Sequence, residues 1–283
     1  MTAQTDRVIR ALTDDGSFRV LTIRSTETAR AICEAQRVSG ETAARLAEVV
    51  TGAALVRETM APGQRLQMVM QDHHGSQLVG DAWPEGRTRG LARLHEGRAQ
   101  FSLDDGGVLQ VVRVLHGGKE HQGVIETGTD VATALMRYFQ QSEQIVTMTA
   151  VGAIFEGDAL TAAGGYVVQL LPELTEPPLA IMTARLEDFG AVTDHLRGHD
   201  VDPARLMSEL LYGFEHTLLS EEPVSFHCPC TRERAIGALA TLGAEELKGL
   251  LARGEETPMS CDYCAAVYRA GPDDYRLLLG EDA

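Results

Sequence analysis

The N-terminal part of the chain alternates between short apolar runs that predict strands and longer stretches with helical spacing. Strands are expected at FRVLTIRS (18–25), RLQMVMQ (65–71), GVLQVVRVL (107–115) and QIVTMTAVGAIF (144–155), with Gly and Asp residues marking turns between them. Helical spacing appears in 41–60 and in 129–144, where Asp130 is a candidate N-cap. Helices and strands mixed in this way predict an α+β fold.

The pattern changes after the strand-like run AAGGYVVQLLPELTEPPLA (162–180), which contains three prolines and is followed by helical periodicity only. Amphipathic helices are expected at 184–197 and at 201–216. The second has Asp202 as its predicted N-cap and Pro203 at its first turn, where proline is favoured.

The second of these helices carries an apolar stripe, formed by Leu206, Leu210, Leu211 and Phe214. A stripe of this kind needs a packing partner, so the helix is expected to lie against a neighbouring surface at rest. We therefore predict three parts. They are an N-terminal mixed α/β core domain (1–175), a helical linker (176–226) and a small C-terminal domain (227–283).

Composition and charge narrow the function. The chain has 283 residues, with 41 acidic and 25 basic side chains and a net charge of −16, which disfavours binding to nucleic acids. No run approaches the roughly 20 apolar residues of a membrane span, and the N-terminal residues lack the apolar region of a secretory signal. A cytoplasmic location without membrane attachment is expected.

Four of the five cysteines form two close pairs in the C-terminal part of the chain. FHCPCTRER contains Cys228 and Cys230, and SCDYC contains Cys261 and Cys264. Alternate residues of an extended segment share a face, so the first pair can face one centre, and a C-x-x-C turn supplies the second pair. The segment between the pairs (231–260) predicts two short helices that bring the pairs together. Because cytosolic thiols stay reduced, this constellation predicts a four-thiolate zinc site.

Two other side chains could take part in the same chemistry. His227 lies next to the first pair, but four thiolates already complete a tetrahedral shell, so it is not expected to be a ligand. Cys33 lies alone in the helical stretch TETARAICEAQ and is expected to be a buried structural residue.

The predicted metal has a large effect on the stability of its domain. The segment from His227 to Ala283 is so short that an apolar core alone would give it only marginal stability. Structural zinc contributes an apparent ~10–16 kcal/mol, compared with ~5–15 kcal/mol for a typical whole domain. Disulfides within each close pair would contribute about 1.5–2 kcal/mol each, and disulfides across the pairs about 4 kcal/mol. Oxidation is expected to destabilise the segment with either pairing.

The cysteine region FHCPCTRERAIGALATLGAEELKGLL followed by MSCDYCAAVY resembles the zinc centre of the redox-regulated holdases of the heat-shock protein 33 family. Further segments resemble the family's core-domain motifs in the same order, namely DDGSFRVL, EGRTRGL, YFQQSEQ and AAGGYVVQLLP. The likeness therefore covers nearly the whole chain. It departs mildly at Thr231, where the family usually has serine, and at 104–123, which follows the family pattern only loosely.

The resemblance implies a non-enzymatic, ATP-independent chaperone that is dormant when reduced and bound to one zinc ion. It further implies that oxidation releases the metal, forms the disulfides Cys228–Cys230 and Cys261–Cys264, and unfolds the tail and linker. The oxidised protein, often a homodimer in this family, would then hold unfolding client proteins.

Two alternatives use the same cysteines differently. A thiol-disulfide oxidoreductase would place one C-x-x-C motif at the start of a helix within a βαβ unit, a frame that CDYC lacks. A zinc ribbon that binds nucleic acid could use the four arginines of EGRTRGLARLHEGR (85–98). That stretch has no interleaved aromatic residues, however, and is better explained as a solvated face.

Overall fold

The computed structural model describes residues 5–197 and 202–280, and the chain divides into two compact units, Met1–His227 and Cys228–Ala283. The first unit contains two sheets. The strands of one are β1 (Arg7–Thr13), β2 (Phe18–Arg24), β8 (Thr147–Glu156), β9 (Ala159–Leu170) and β10 (His216–Pro223). Those of the other are β3 (Arg65–Asp72), β4 (Gln77–Ala82), β5 (Arg87–Arg93), β6 (Gly107–Val114), β7 (Glu120–Glu126) and β11 (Ser225–Phe226). The first sheet is antiparallel with the strand order β10-β1-β2-β9-β8, and the second has the order β11-β5-β4-β3-β6-β7.

Helices α1 (Thr26–Gln36), α2 (Gly40–Glu58) and α3 (Val131–Tyr138) bury their apolar side chains in the main core of this unit. α2 contacts strands of both sheets, which explains why it is buried around most of its circumference. Gly90 of β5 is one reason that it packs closely, because a Cβ there would lie 2.6 Å from Val50 Cγ1. The mixed α+β fold that was predicted is the fold observed.

A second core lies where three further helices pack beside the β1-β2-β9-β8 sheet. They are α4 (Glu176–Phe189), α5 (Val192–Leu196) and α6 (Pro203–Leu210). Leu206, Leu210 and Leu211 are buried in this core. The rings of Phe214 and Phe18 pack in a T-shaped arrangement with their centroids 5.5 Å apart. The predicted apolar stripe is therefore packed against the sheet, where burial of each leucine contributes about 1.5–3 kcal/mol.

The local predictions for the helices were largely confirmed. Asp130 caps α3 by accepting a hydrogen bond from Thr133 N at 2.8 Å, and Asp202 caps α6 by accepting one from Ala204 N at 3.0 Å. The helix predicted at 184–197 is divided at Gly190, which separates α4 from α5. The helix predicted at 201–216 ends at Leu210, and its predicted first residue lies outside the described residues.

The expectation that only helices follow the prolines was wrong for residues 216–226. β10 pairs with β1 as an edge strand, with Arg7 opposite Pro223 and Thr13 opposite His216, and the two-residue strand β11 runs parallel to β5. The paired segments are far apart in the chain, so local periodicity does not reveal these pairings. The strands β1, β4, β5 and β7 were not predicted either, whereas the strands expected at 18–25, 65–71, 107–115 and 144–155 were confirmed.

The second unit is small. It contains α7 (Arg232–Ala238), a 3-10 turn (Leu239–Leu242), α8 (Ala244–Arg253), the hairpin of β12 (Thr257–Ser260) and β13 (Val267–Ala270), and α9 (Pro272–Leu279). The buried apolar side chains among its described residues are Ile236, Leu239, Leu247, Ala270 and Tyr275, and further apolar side chains are partly buried against them. Five buried side chains form a minimal core, as expected for a unit that needs a further stabilising element.

Candidate metal centre

The four C-terminal cysteines converge on one point in the second unit. The Sγ atoms of Cys228, Cys230, Cys261 and Cys264 all lie within 4.8 Å of one another. Across the two pairs, the Sγ–Sγ distance is 3.7 Å for Cys228 and Cys261 and 3.3 Å for Cys230 and Cys264. A tetrahedral site with Zn–S bonds of about 2.3 Å requires sulfurs about 3.8 Å apart, so a small adjustment accommodates the ion.

The first cysteine pair is held by the start of α7. The Thr231 side chain caps this helix by accepting a hydrogen bond from Arg234 N at 3.3 Å. The Arg234 guanidinium reaches back and donates to Pro229 O at 2.8 Å. Pro229 lies between Cys228 and Cys230, so this contact fixes the peptide segment that carries both thiols.

The second pair is carried by the turn between β12 and β13. Cys261 N donates to Ala266 O at 2.9 Å, and Ala265 N donates to Cys261 O at 2.9 Å, which closes the turn around Cys261 and Cys264. Ala265 adopts φ 57°, a left-handed conformation that costs an L-residue about 1–2 kcal/mol. The turn that carries Cys261 and Cys264 is therefore locally strained at Ala265.

Tyr268 is a polar side chain of this centre that sequence reasoning missed. Its hydroxyl oxygen lies 3.2 Å from Cys230 Sγ and 3.3 Å from Cys230 O. The hydrogen bond from this hydroxyl is the main influence that lowers the pKa of the Cys230 thiol to about 7, whereas burial chiefly raises the pKa of Cys264 to about 12. A bound divalent cation would override both effects, because it holds its sulfur ligands as thiolates.

His227 and Cys33 lie outside this cluster. The cluster contains cysteines only, and His227 belongs to the first compact unit. Cys33 is buried in the main core, where its Sγ lies 3.5 Å from Ala43 O. Burial raises the pKa of its thiol to about 12, so Cys33 stays protonated and unreactive at neutral pH.

The geometry also bears on the two alternative functions. Cys261 and Cys264 lie on a turn between two strands rather than at a helix N-terminus, so they lack the helix dipole that activates a redox C-x-x-C motif. In the arginine-rich segment, Arg89 pairs with Asp81 at 2.7 Å and lies over the Trp83 ring. Its charge is therefore engaged within the protein.

None of the helices described in residues 5–197 and 202–280 has the length and apolarity of a membrane span.

Comparison with known proteins gives a consistent result. The model of the Hsp33 protein family matches residues 6–270, a range that includes all four clustered cysteines. A 33 kDa chaperonin from Syntrophotalea carbinolica is 30% identical over 286 residues, covering 97% of this chain and 99% of the relative. One from Symbiobacterium thermophilum is 32% identical over 285 residues, covering 95% of both chains. The crystal structure of a 33 kDa chaperonin from Thermotoga maritima has the same fold, with a TM-score of 0.83 over 98% of both chains at 20% identity.

Proposed function

The chain belongs to the Hsp33 family of chaperones, and we propose that it is a redox-regulated, ATP-independent holdase. Its reduced, dormant form holds one zinc ion on Cys228, Cys230, Cys261 and Cys264. The observation that carries this proposal is the convergence of these four sulfurs within 4.8 Å of one another. The family is one of chaperones rather than enzymes, and no catalytic residue is assigned.

The donor set and the size of the C-terminal unit both favour a structural zinc ion. Four thiolates are a preferred ligand set for zinc, and the ion supplies binding energy of ~10–16 kcal/mol when bound. Burial of the five apolar side chains of this core is largely offset by the conformational entropy lost when the unit folds, so the core alone leaves the unit only marginally stable. The metal therefore controls whether the C-terminal unit stays folded.

Oxidation is the proposed trigger. A thiolate attacks the O–O bond of a peroxide, an S–O bond forms, and the displaced hydroxide takes a proton to become water. A second thiol then attacks the sulfenic sulfur, which forms the S–S bond and releases another water. Two peroxide molecules thus oxidise all four thiols, and the products we propose are Cys228–Cys230 and Cys261–Cys264. A disulfide cannot remain a thiolate ligand, so the metal is lost.

Loss of the metal removes the main support of residues 227–283, and the linker at 176–226 is proposed to open with it. The linker covers apolar residues of the β1-β2-β9-β8 sheet, among them Ile9, Val20 and Val168. Opening exposes both this surface and the linker's own leucines, which supplies an apolar surface for unfolding proteins. The core at 1–175 stays folded. We propose further that the oxidised protein binds its clients as a homodimer and that it acts in the cytoplasm.

One experiment tests this function with two readouts on the same sample. Reduced, zinc-loaded protein is treated with hydrogen peroxide while a chromogenic chelator records zinc and light scattering records aggregation of a heat-unfolding client. We expect release of one zinc per chain and the appearance of client protection over the same period. Zinc release without client protection, or full protection by the reduced protein, would refute the redox switch.

The same preparation separates the alternatives. Turnover of a dithiol substrate would instead indicate an oxidoreductase. Binding to DNA or RNA at low salt would indicate a nucleic-acid-binding zinc ribbon.

A further inference from the structure

The hydroxyl of Tyr268 singles out one of the four sulfurs. It lies 3.2 Å from Cys230 Sγ, and the same oxygen is 3.3 Å from the carbonyl oxygen of Cys230. A zinc-bound thiolate and a carbonyl oxygen both lack a proton, so in the loaded protein the Tyr268 hydroxyl is the donor, and the charged thiolate is the stronger of its two acceptors. The Cys230 sulfur would therefore both bind the metal and accept a hydrogen bond from Tyr268.

The tyrosine is held where it can make this contact without large movements. Tyr268 lies in β13, where it is paired with Met259 of β12. Farther along the same strand, Ala270 is buried in the core of the unit, and its carbonyl accepts a hydrogen bond from Tyr275 at 2.8 Å. The hairpin thus positions the Tyr268 hydroxyl against a cysteine that lies before α7, much earlier in the chain.

A hydrogen bond to a metal-bound sulfur lowers the availability of its lone pairs. Groups around a metal site tune the reactivity and redox behaviour of the ligands in this way. We propose that Tyr268 is a positioning residue that restrains the attack of Cys230 on oxidants and so sets the oxidant exposure at which the switch responds. This inference rests on the proposed function, because it assumes a zinc-loaded, reduced resting state.

The restrained step is the first one in the oxidation. Cys230 Sγ forms a bond to a peroxide oxygen, the O–O bond breaks, and hydroxide leaves and is protonated to water. The hydrogen bond from Tyr268 must weaken as the sulfur donates its electron pair, so the hydroxyl stabilises the starting state more than the transition state. Removing the hydroxyl is therefore expected to accelerate the reaction.

The test uses Tyr268→Phe in the full chain, loaded with zinc. All sulfurs are then thiolates, so a difference in proton loss cannot explain a difference in rate. We expect peroxide-induced zinc release about five- to tenfold faster than in the parent, which is less than the full effect of losing a hydrogen bond to a charged group because the bond is only partly weakened in the transition state. Iodoacetamide, whose carbon forms a bond to sulfur as iodide leaves, should modify Cys230 faster, with little change at Cys264, as resolved by peptide mass spectrometry.

Tyr275→Phe is the matched control, because the Tyr275 hydroxyl contacts Ala270 O and Thr257 Oγ1 rather than a sulfur. Equal acceleration in both variants, or equal acceleration at all four cysteines, would assign the effect to domain stability and overturn the proposal. Incorporation of 3-fluorotyrosine at position 268 gives a second test that preserves the fold. Its hydroxyl is a stronger donor, so zinc release should become slower, and an unchanged rate would also overturn the proposal.

Failure of the proposal for Tyr268 can be distinguished from failure of the proposed function. Zinc binding and client protection by the parent protein test the switch itself. The parent can pass both tests while Tyr268→Phe reacts at the parent's rate, in which case only the role of Tyr268 is refuted.

Discussion

Gly152 of β8 lies directly against Thr193 of α5, so that a Cβ atom at Gly152 would fall 2.9 Å from Thr193 Cγ2 and 3.1 Å from Val192 Cγ1. Because glycine has no side chain, α5 can pack directly against the backbone of β8 at this position. Gly164 of β9 contributes in the same way, since a Cβ there would lie 3.2 Å from Leu196 Cδ2. Two glycines on neighbouring strands thus allow α5 to lie close to the sheet.

Gly152→Val should displace α5 from the sheet. Overpacking of this kind costs about 1–3 kcal/mol, and the short helix is the element best able to move. We expect faster amide exchange in 192–196 and partial client protection by the reduced, zinc-loaded variant. Ala159→Val, at an exposed position of β9, adds apolar volume without meeting the linker and should behave as the parent. Unchanged amide exchange in 192–196 of the Gly152→Val protein would show that close packing at Gly152 does not hold α5 on the sheet.

Leu210→Ala tests the linker from its other side. Leu210 is 0% exposed in the core between α6 and the sheet, and truncation of a buried leucine typically costs about 2–5 kcal/mol. This is comparable with the whole stability of a small linker, so the reduced, zinc-loaded variant should already suppress client aggregation. Light scattering and a zinc assay on the same sample measure both quantities.

Leu218→Ala is the matched control, since Leu218 is 62% exposed and should contribute little to docking. A Leu210→Ala protein with full zinc, faster exchange in α6 and no chaperone activity would show that the linker does not mask the client surface.

Zinc stoichiometry in single Cys→Ser variants tests the metal centre. Replacement of Cys228, Cys230, Cys261 or Cys264 should lower zinc affinity strongly, since each removes one of four thiolates. Cys33→Ser should retain one zinc per chain, because Cys33 lies in the main core and not in the cluster. Loss of zinc in Cys33→Ser with retention in Cys261→Ser would refute the assignment.

The parts of this structure that the sequence predicts well depend on contacts close in the chain. Asp130 and Asp202 were identifiable as N-caps because a cap bonds to an amide two or three residues away. The convergence of Cys228 and Cys261 is an exception, since these residues are distant in the chain and were paired because the spacing of four cysteines is typical of a metal site.

The parts that were missed depend on partners distant in the chain. The β10 segment HTLLSEEP has little strand character, and it becomes a strand because β1 offers a free edge. Tyr268 carries no local signal that its hydroxyl meets Cys230, since the contact depends on the hairpin and on the placement of α7. Division of the linker helices at Gly190 was indicated only by a single glycine, which a helix can tolerate.

We expect Glu209 to make the docking of the linker sensitive to acid. The hydrogen bond from Arg205, with further contributions from the Arg205 charge and from His195, lowers the pKa of this carboxyl below its ordinary value of 4.5. A lowered folded-state pKa contributes stability that is present above the unfolded value and is lost as pH falls through the folded value. Exchange of α6 amides, corrected for intrinsic rates, should therefore accelerate as pH falls below about 4.5.

Glu209→Gln removes the charge and should reduce this pH dependence. The Glu209 carboxylate also lies 2.9 Å from His195 Nδ1, so the variant should show less α5 and α6 protection at neutral pH as well. An acid response as steep in Glu209→Gln as in the parent would place the responsible carboxyl elsewhere.

Ala265→Gly should make the metal centre harder to disrupt. Ala265 holds φ 57° in the turn that carries Cys261 and Cys264, and glycine adopts this conformation without the steric cost that alanine has there. Glycine also has more freedom in the unfolded chain, so the net gain is expected to be about 0.5–1 kcal/mol. Because the unit must fold to bind zinc, this gain should appear as about two- to fivefold tighter zinc binding in a chelator competition.

Gly254→Ala is the reciprocal control, since Gly254 has φ 66° at the end of α8 and alanine there should weaken the unit by a similar amount. Zinc affinity that is unchanged or lower in Ala265→Gly would show that the turn is not strained at this residue.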